Sequence, residues 1–177
     1  MSSKLPTVAI IGQANVGKSS LFNRLTRSRT AIVAREAGTT RDNVVGKVSY
    51  KRRNVDSAPS DDYSQFWFID TAGLKTAEDE FEATIQDQIA DASAAADVIL
   101  VTVDSTVYPS DADRQLAKKA LKSGKPVILI ANKADLKGSL SIDEFKRLGI
   151  KTIIKTSAEH SIGISELLDS IAELIPP

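Results

Sequence analysis

A three-layer α/β fold, with a mostly parallel six-stranded sheet, one antiparallel edge strand and helices on both faces, is what the sequence predicts from two patterns. Short apolar runs rich in β-branched residues recur along the chain: TVAII at 7–11, FWFID at 66–70, VILVTVD at 98–104, PVILIAN at 126–132 and TIIKT at 152–156. Amphipathic segments of helical period lie between them. Strands that are apolar almost throughout are buried on both faces, as in a parallel sheet covered by helices, and such sheets hold ligands at the carboxyl ends of their strands. The 177 residues suffice for one core and hence one domain.

Each element has its own signal. Helices are expected over Lys18–Arg27, about 81–95, Asp111–Lys122, Ile142–Leu148 and Ile164–Leu174. Ser141 followed by Glu144 reads as a capping box opening the fourth. Residues 44–53, VVGKVSYKRR, alternate like a half-buried edge strand, and an antiparallel hairpin with 65–70 follows. The connecting NVDSAPSDDYS is polar, contains a proline and reads as an exposed loop, longer than a usual hairpin turn. Pro176 and Pro177 stop the last helix.

Composition narrows the function classes. With 42% apolar and 26% charged residues this is an ordinary globular chain. No apolar run approaches the roughly 20 residues of a membrane-spanning helix, and the opening apolar stretch is too short for a secretory signal. Cysteine is absent, which removes disulfides and thiolate metal sites, and the lone His160 cannot build a histidine-rich metal centre. A cytoplasmic location is compatible with this. The 23 basic and 23 acidic residues cancel, so no strong overall field attracts nucleic acid. Lys51, Arg52 and Arg53 read as solvated edge-strand charges that discourage aggregation rather than as a nucleic-acid patch.

GQANVGKSS at 12–20 matches G-x-x-x-x-G-K-[ST] between an expected strand and an expected helix. This is the context a P-loop needs. Gly12 and Gly17 let the chain wrap closely, so that backbone N–H groups from Asn15 to Ser20, through Val16, point at phosphate oxygens near a helix N-terminus. Lys18 is expected to bridge the β- and γ-phosphates, and Ser19 to offer its hydroxyl to Mg²⁺. DTAGL at 70–74 ends an apolar strand, placing Asp70 to hold Mg²⁺ through water and Gly73 to reach the γ-phosphate with its N–H. In GTTRD at 38–42, Thr40 is the choice for a second Mg²⁺ hydroxyl, with Thr39 as the alternative that spacing leaves open.

NKAD at 132–135 again follows an apolar strand, and its acidic residue decides the base. Guanine presents two adjacent donors, N1–H and the 2-amino group, that one Asp135 carboxylate accepts together. Adenine presents an acceptor at N1 and leaves that carboxylate unpaired, a penalty that supplies discrimination of about 10⁴-fold. Asn132 reaches the N7 side of the base or ties neighbouring loops, and the Lys133 stem covers the ring. In TSAEH at 156–160, Ser157, Ala158 and Glu159 form the facing loop, with the Ala158 N–H suited to guanine O6. His160 lies beyond that loop, far from the γ-phosphate, and reads as a surface residue rather than a general base.

These five motifs, in this order, resemble the TrmE-Era-EngA class of P-loop GTPases over essentially the whole chain. Within it, VAIIGQANVGKSSLFNRLTRSRTAIV, GTTRD, DTAGL, KPVILIANKAD and SAEHSIGISELLD resemble the first GTPase domain of the Der (EngA) family of ribosome-assembly GTPases. The resemblance implies a Ras-like P-loop fold, GTP and GDP as ligands, and contact with the ribosome and its RNA through a longer protein. That protein would carry a second GTPase domain and a KH-like domain. GTTRD with DTAGL also resembles the MnmE tRNA-modification GTPases, whose GTPase domain is internal. A first strand so near the start of the chain favours the Der family.

Leu74 stands where many GTPases carry the Gln that orients the attacking water, and Leu cannot hydrogen-bond water. Hydrolysis then relies on backbone, metal and another charge at the transition state. The related GTPases imply a K⁺ ion partly held by a P-loop Asn, and Asn15 matches that position, with carbonyls of 34–39 completing the site. Arg41 acting in cis is the competing source of charge. Lys18, Thr40, Gly73 and Asn15 are thus the candidates for a slow, potassium-stimulated hydrolysis in which segments 34–43 and 72–82 respond to the γ-phosphate. A nucleotide-dependent binding module with negligible hydrolysis is the other class of reading, and Asp135 disfavours an ATPase.

Overall fold

A computed structural model describes residues 5–13, 16–27, 33–35, 44–51, 63–70, 90, 92 and 94–175. The strands are β1 (Thr7–Gly12), β2 (Val33–Arg35), β3 (Val44–Lys51), β4 (Tyr63–Asp70), β5 (Val98–Asp104), β6 (Val127–Asn132) and β7 (Thr152–Lys155). The helices are α1 (Lys18–Arg27), α2 (Asp111–Lys122) and α3 (Ile164–Leu174), with a 3₁₀ helix at Ile142–Leu148. Among the described residues the strands form one sheet in the order β2-β3-β4-β1-β5-β6-β7. All neighbours are parallel except at β3, which runs antiparallel to both β2 and β4.

The six expected strands are present, and β2 adds a short seventh. It pairs with Val44, Val45 and Gly46 only, so the expected edge strand is outermost in the sheet just from Lys47 onward. Three residues are too few for an alternating pattern to reveal. The 142–148 segment is a 3₁₀ helix rather than an α-helix, and the Ser141 hydroxyl caps it by accepting from the Asp143 N–H, while the Ser141 carbonyl accepts from the Glu144 N–H. The reciprocal capping box stands at α2 instead, where the Ser110 hydroxyl accepts from the Asp113 N–H and the Asp113 carboxylate accepts from the Ser110 N–H. Of the helix expected near 81–95, Ala90, Ala92, Ala94 and Ala95 are described and helical.

The apolar strands divide their residues between two layers by simple alternation. From β1, Val8 and Ile10 join Leu100, Ile130 and Ile154 beneath α1 and α3, meeting Leu21, Leu25, Leu167 and Ile171. Ala9 and Ile11 face the other way, toward Leu116, Ala117 and Ala120 of α2 and Phe145 of the 3₁₀ helix. Phe22 of α1 stacks on Phe68 of β4 with ring centroids 5.1 Å apart, fixing the helix that follows the first loop. The consequence is a rigid sheet whose central strands β1, β5 and β6 end side by side.

Leu100 is fully buried on β5, whereas Leu121 on α2 is 42% exposed. Leu100→Ala is expected to cost about 3 kcal/mol, and Leu121→Ala less than about 1 kcal/mol. Urea unfolding midpoints measured with equal m-values check the difference.

Candidate nucleotide site

The loop between β1 and α1 sits at the carboxyl edge of the sheet. The Gly17 carbonyl accepts from the Leu21 N–H at 3.0 Å as α1 begins, so the helix N-terminus opens at Lys18 with its positive dipole end. Gly17 has φ +89°, and a Cβ there would lie 2.2 Å from Asn132 Nδ2. Both facts demand glycine. Asn132 Nδ2 donates to the Val16 carbonyl at 2.9 Å. Lys18 is 8% and Asp70 2% exposed, and Lys18 Nζ lies 3.5 Å from Asp70 Oδ1. Burial holds the Lys18 ammonium below its usual range, partly offset by that carboxylate. Ser19 and Ser20 are exposed at the helix start. Gln13 Nε2 donates to Ser110 Oγ at 2.7 Å and to Asp113 Oδ1 at 2.6 Å, tying the loop to the cap of α2.

Beside this loop lies a cavity of about 180 Å³ lined by Gly17, Ser20, Asn132, Lys133, Asp135, Leu136 and 157–159. Asn132, 3% exposed, also accepts from Thr156 Oγ1 at 2.9 Å through its Oδ1. Of the two roles expected for it, loop tie is the one its geometry displays. Lys133 adopts φ +64°, and its Nζ donates to Asp104 Oδ2 at 3.1 Å. The other oxygen of Asp104 accepts from Thr106 N at 2.8 Å and Thr106 Oγ1 at 2.6 Å. Burial works to raise the Asp104 pKa, but the Thr106 bonds and the Lys133 ammonium outweigh it and hold the carboxyl below the usual range.

The facing loop is braced on three sides. Ser157 and Ile162 exchange backbone bonds at 3.0 and 3.1 Å, closing a tight turn over 157–162. Arg24 of α1 reaches it, donating from Nε to the Ala158 carbonyl at 2.7 Å and from Nη2 to the Glu159 carbonyl at 2.9 Å. Behind it, Gly163 has φ +72°, and a Cβ there would meet the Lys155 carbonyl oxygen at 2.1 Å. His160 is exposed, as expected, but its Nε2 lies 3.3 Å from Asp135 Oδ2.

The structure therefore brings Val16, Gly17, Lys18, Ser19, Ser20, Asp70, Asn132, Lys133, Asp135, Ser157, Ala158 and Glu159 to one edge of the sheet. Asn15, Thr39, Thr40, Arg41, Gly73 and Leu74 lie outside the described residues. Sequence reasoning missed Arg24, Asp104, Thr156 and Gln13. Asp104 had a visible signal, an acidic residue closing an apolar strand; Arg24 had none, because its partners lie 134 and 135 residues away.

The family model described as 50S ribosome-binding GTPase matches residues 7–133. GTPase Der of Porphyromonas gingivalis is 42% identical over 171 residues, covering 96% of this chain and 37% of that protein. The chain thus spans little more than a third of the length of the curated relatives it matches. Among solved structures, Aquifex aeolicus Era bound to GDP·AlF₄⁻ aligns with TM-score 0.70 at 30% identity, covering 99% of this chain and 58% of that one. Era in complex with MgGDPNP and nucleotides 1506–1542 of 16S ribosomal RNA aligns with TM-score 0.66 at 29% identity, over 99% of this chain and 58% of that one.

Asp104 carries a pH signature. Its folded pKa lies below its unfolded value, so the stabilisation is fully present above about pH 4 and is lost as pH falls through the folded pKa. Urea midpoints of wild type and Asp104→Asn should differ at pH 7 and converge toward pH 3, the wild type falling more steeply.

Proposed function

The chain belongs to the 50S ribosome-binding GTPase family, and from that premise we propose that it is the first GTPase domain of a Der-type protein acting in assembly of the large ribosomal subunit. One observation carries the nucleotide reading: the Asn132 amide joins the P-loop at Val16 to Thr156, so the phosphate loop and the Asp135 pocket form one continuous site. Phosphates fit the α1 N-terminus and Lys18, and guanine fits the carboxylate of Asp135. The Ala158 N–H serves O6, and the Lys133 stem, anchored on Asp104, covers the ring.

The reaction is in-line attack of water on the γ-phosphate. Lys18 moves its charge from Asp70 onto the phosphates, a transfer favoured by its poorly solvated position. Mg²⁺ fits the donor set, since the Ser19 hydroxyl at the open helix start is a hard oxygen donor and the Asp70 carboxylate would hold the ion through water, with the Thr40 hydroxyl as the second direct donor. A Mg²⁺ ion held by these residues would supply positive charge to stabilise the phosphate oxygens. With Leu at position 74, the Asn15 amide would hold a K⁺ ion whose charge would supply the remaining electrostatic stabilisation, and the N–H of Gly73 would report the γ-phosphate to the segment after it.

Ribosome and rRNA contact, a second GTPase domain and a KH-like domain follow from the motif resemblance to the Der family, and the Der relatives are longer than this chain, which covers 37% of each. A cytoplasmic location accords with that role; among the described residues no helix is long and apolar enough to cross a membrane. Leu74 favours one second reading, a nucleotide-dependent binding module with negligible hydrolysis.

Single-turnover hydrolysis with Mg²⁺ in KCl and in NaCl at equal ionic strength tests these claims. Faster phosphate release in KCl is expected; equal rates would sink the potassium site, and no release over hours would favour the binding module. Asp135→Asn removes an acceptor for two donors, and at about 1.5–3 kcal/mol for each bond to a charged group the GDP affinity should fall about 10²-fold or more. Calorimetric titration with GDP and ADP checks it, and unchanged GDP binding would remove Asp135 from the base site.

A further inference from the structure

We propose that His160 competes with guanine for the Asp135 carboxylate, making guanine-nucleotide affinity dependent on pH. This rests on the reading of Asp135 as the guanine acceptor. The imidazole Nε2 lies 3.3 Å from Asp135 Oδ2, one of the two oxygens that guanine's N1–H and 2-amino group need together. The carboxylate is set into the pocket wall, its side chain 17% exposed, whereas the imidazole reaches it from the rim at 61% exposure. The reach is built into the loop: the Ser157–Ile162 backbone pair closes the turn, His160 N donates to Ser157 Oγ at 3.2 Å, and Ser161 takes φ +55°.

Among the described residues, Lys133 and Arg24 bond elsewhere and one further carboxylate joins the pair. From the loop after β6, the Lys133 ammonium bonds Asp104. From α1, the Arg24 guanidinium bonds the Ala158 and Glu159 carbonyls. From its own turn, the Glu159 carboxylate joins Asp135 and His160 with ligand atoms within 4.8 Å of one another. An imidazole changes charge between about pH 5 and 8, and its protonated form holds a carboxylate more strongly than its neutral form. Guanine entering Asp135 must displace that contact, so binding weakens as pH falls and releases a proton as it proceeds. By reciprocity, bound GDP disfavours the imidazolium.

His160 is the sole histidine, so its imidazole resonance can be followed without ambiguity. Calorimetry with GDP from pH 8 to pH 5.5 should show the wild-type affinity falling about fivefold more than that of His160→Gln or His160→Ala, the size of a partly exposed ion pair. At pH 8 the three proteins should agree within about twofold. In NMR titrations, saturating GDP should lower the imidazole midpoint and ADP should leave it in place. Identical pH profiles for wild type and both variants, or a midpoint unmoved by GDP, overturn the proposal while leaving the guanine site intact. Failure of GDP to bind at any pH overturns the base-site reading and the competition with it.

Discussion

The buried amide of Asn132 is the constraint on which the site depends. At the end of β6 it donates to Val16, 116 residues away in the loop after β1, and accepts from Thr156, 24 residues away after β7, so three loops become one body. An amide buried to 3% exposure stays only because its donor and acceptor ends are both used. The P-loop glycine follows from the same contact: position 17 is where the amide approaches the loop, and any Cβ would collide with it. A glycine usually explained by phosphate approach is here also required by the base side of the site.

A second tension runs through the phosphate end. Lys18 and Asp70 are both nearly buried, and ion pairs taken out of water roughly break even against their desolvation cost. The pair is therefore a poor source of stability, set at strand ends held by apolar layers on both faces of β1 and β5 and by Phe66 and Phe68 on one face of β4. Thr102 adds to the cost. Its hydroxyl is buried beside Gly12, where the loop leaves the sheet, and has no hydrogen-bond partner among the described residues. Such local violations are expected where a fold serves a site rather than its own stability.

The legible parts of the sequence were those whose signals are local. The bounds of α1, α2 and α3 followed from helical period and breakers, and the central strands from apolar runs too long to be half-exposed. The three-residue β2 carried no period, and Ser141 signalled a cap but not whether a 3₁₀ or an α-helix followed it. In the site, Gly17, Lys18, Asp70 and Asp135 were readable because phosphate, metal and guanine each require a particular chemistry at a strand end. Arg24, Gln13 and Thr156 were not, because their partners are chosen by packing between distant segments. His160 illustrates the boundary. Its exposure could be read from its place in a polar loop, but its contact with Asp135 depends on how tightly residues 157–162 turn.

The bracing also implies a division of labour within the site. At the base end, Arg24, the Ser157–Ile162 pair, Gly163 and the Asp104–Lys133 contact fix nearly every element that would face guanine, so little ordering remains to oppose binding. Lys18 is differently placed: its Asp70 contact has to give way when phosphate arrives, because the same ammonium serves both. Under the proposed function, discrimination between bases would rest on this braced pocket, and the response to the γ-phosphate on an exchange of partners at Lys18. Gln13 joins these ends to a third place, since it links the loop that would hold the phosphates to the cap of α2. A shift of the P-loop would be felt at that cap through Gln13 and at the base pocket through Asn132, which holds the loop at Val16.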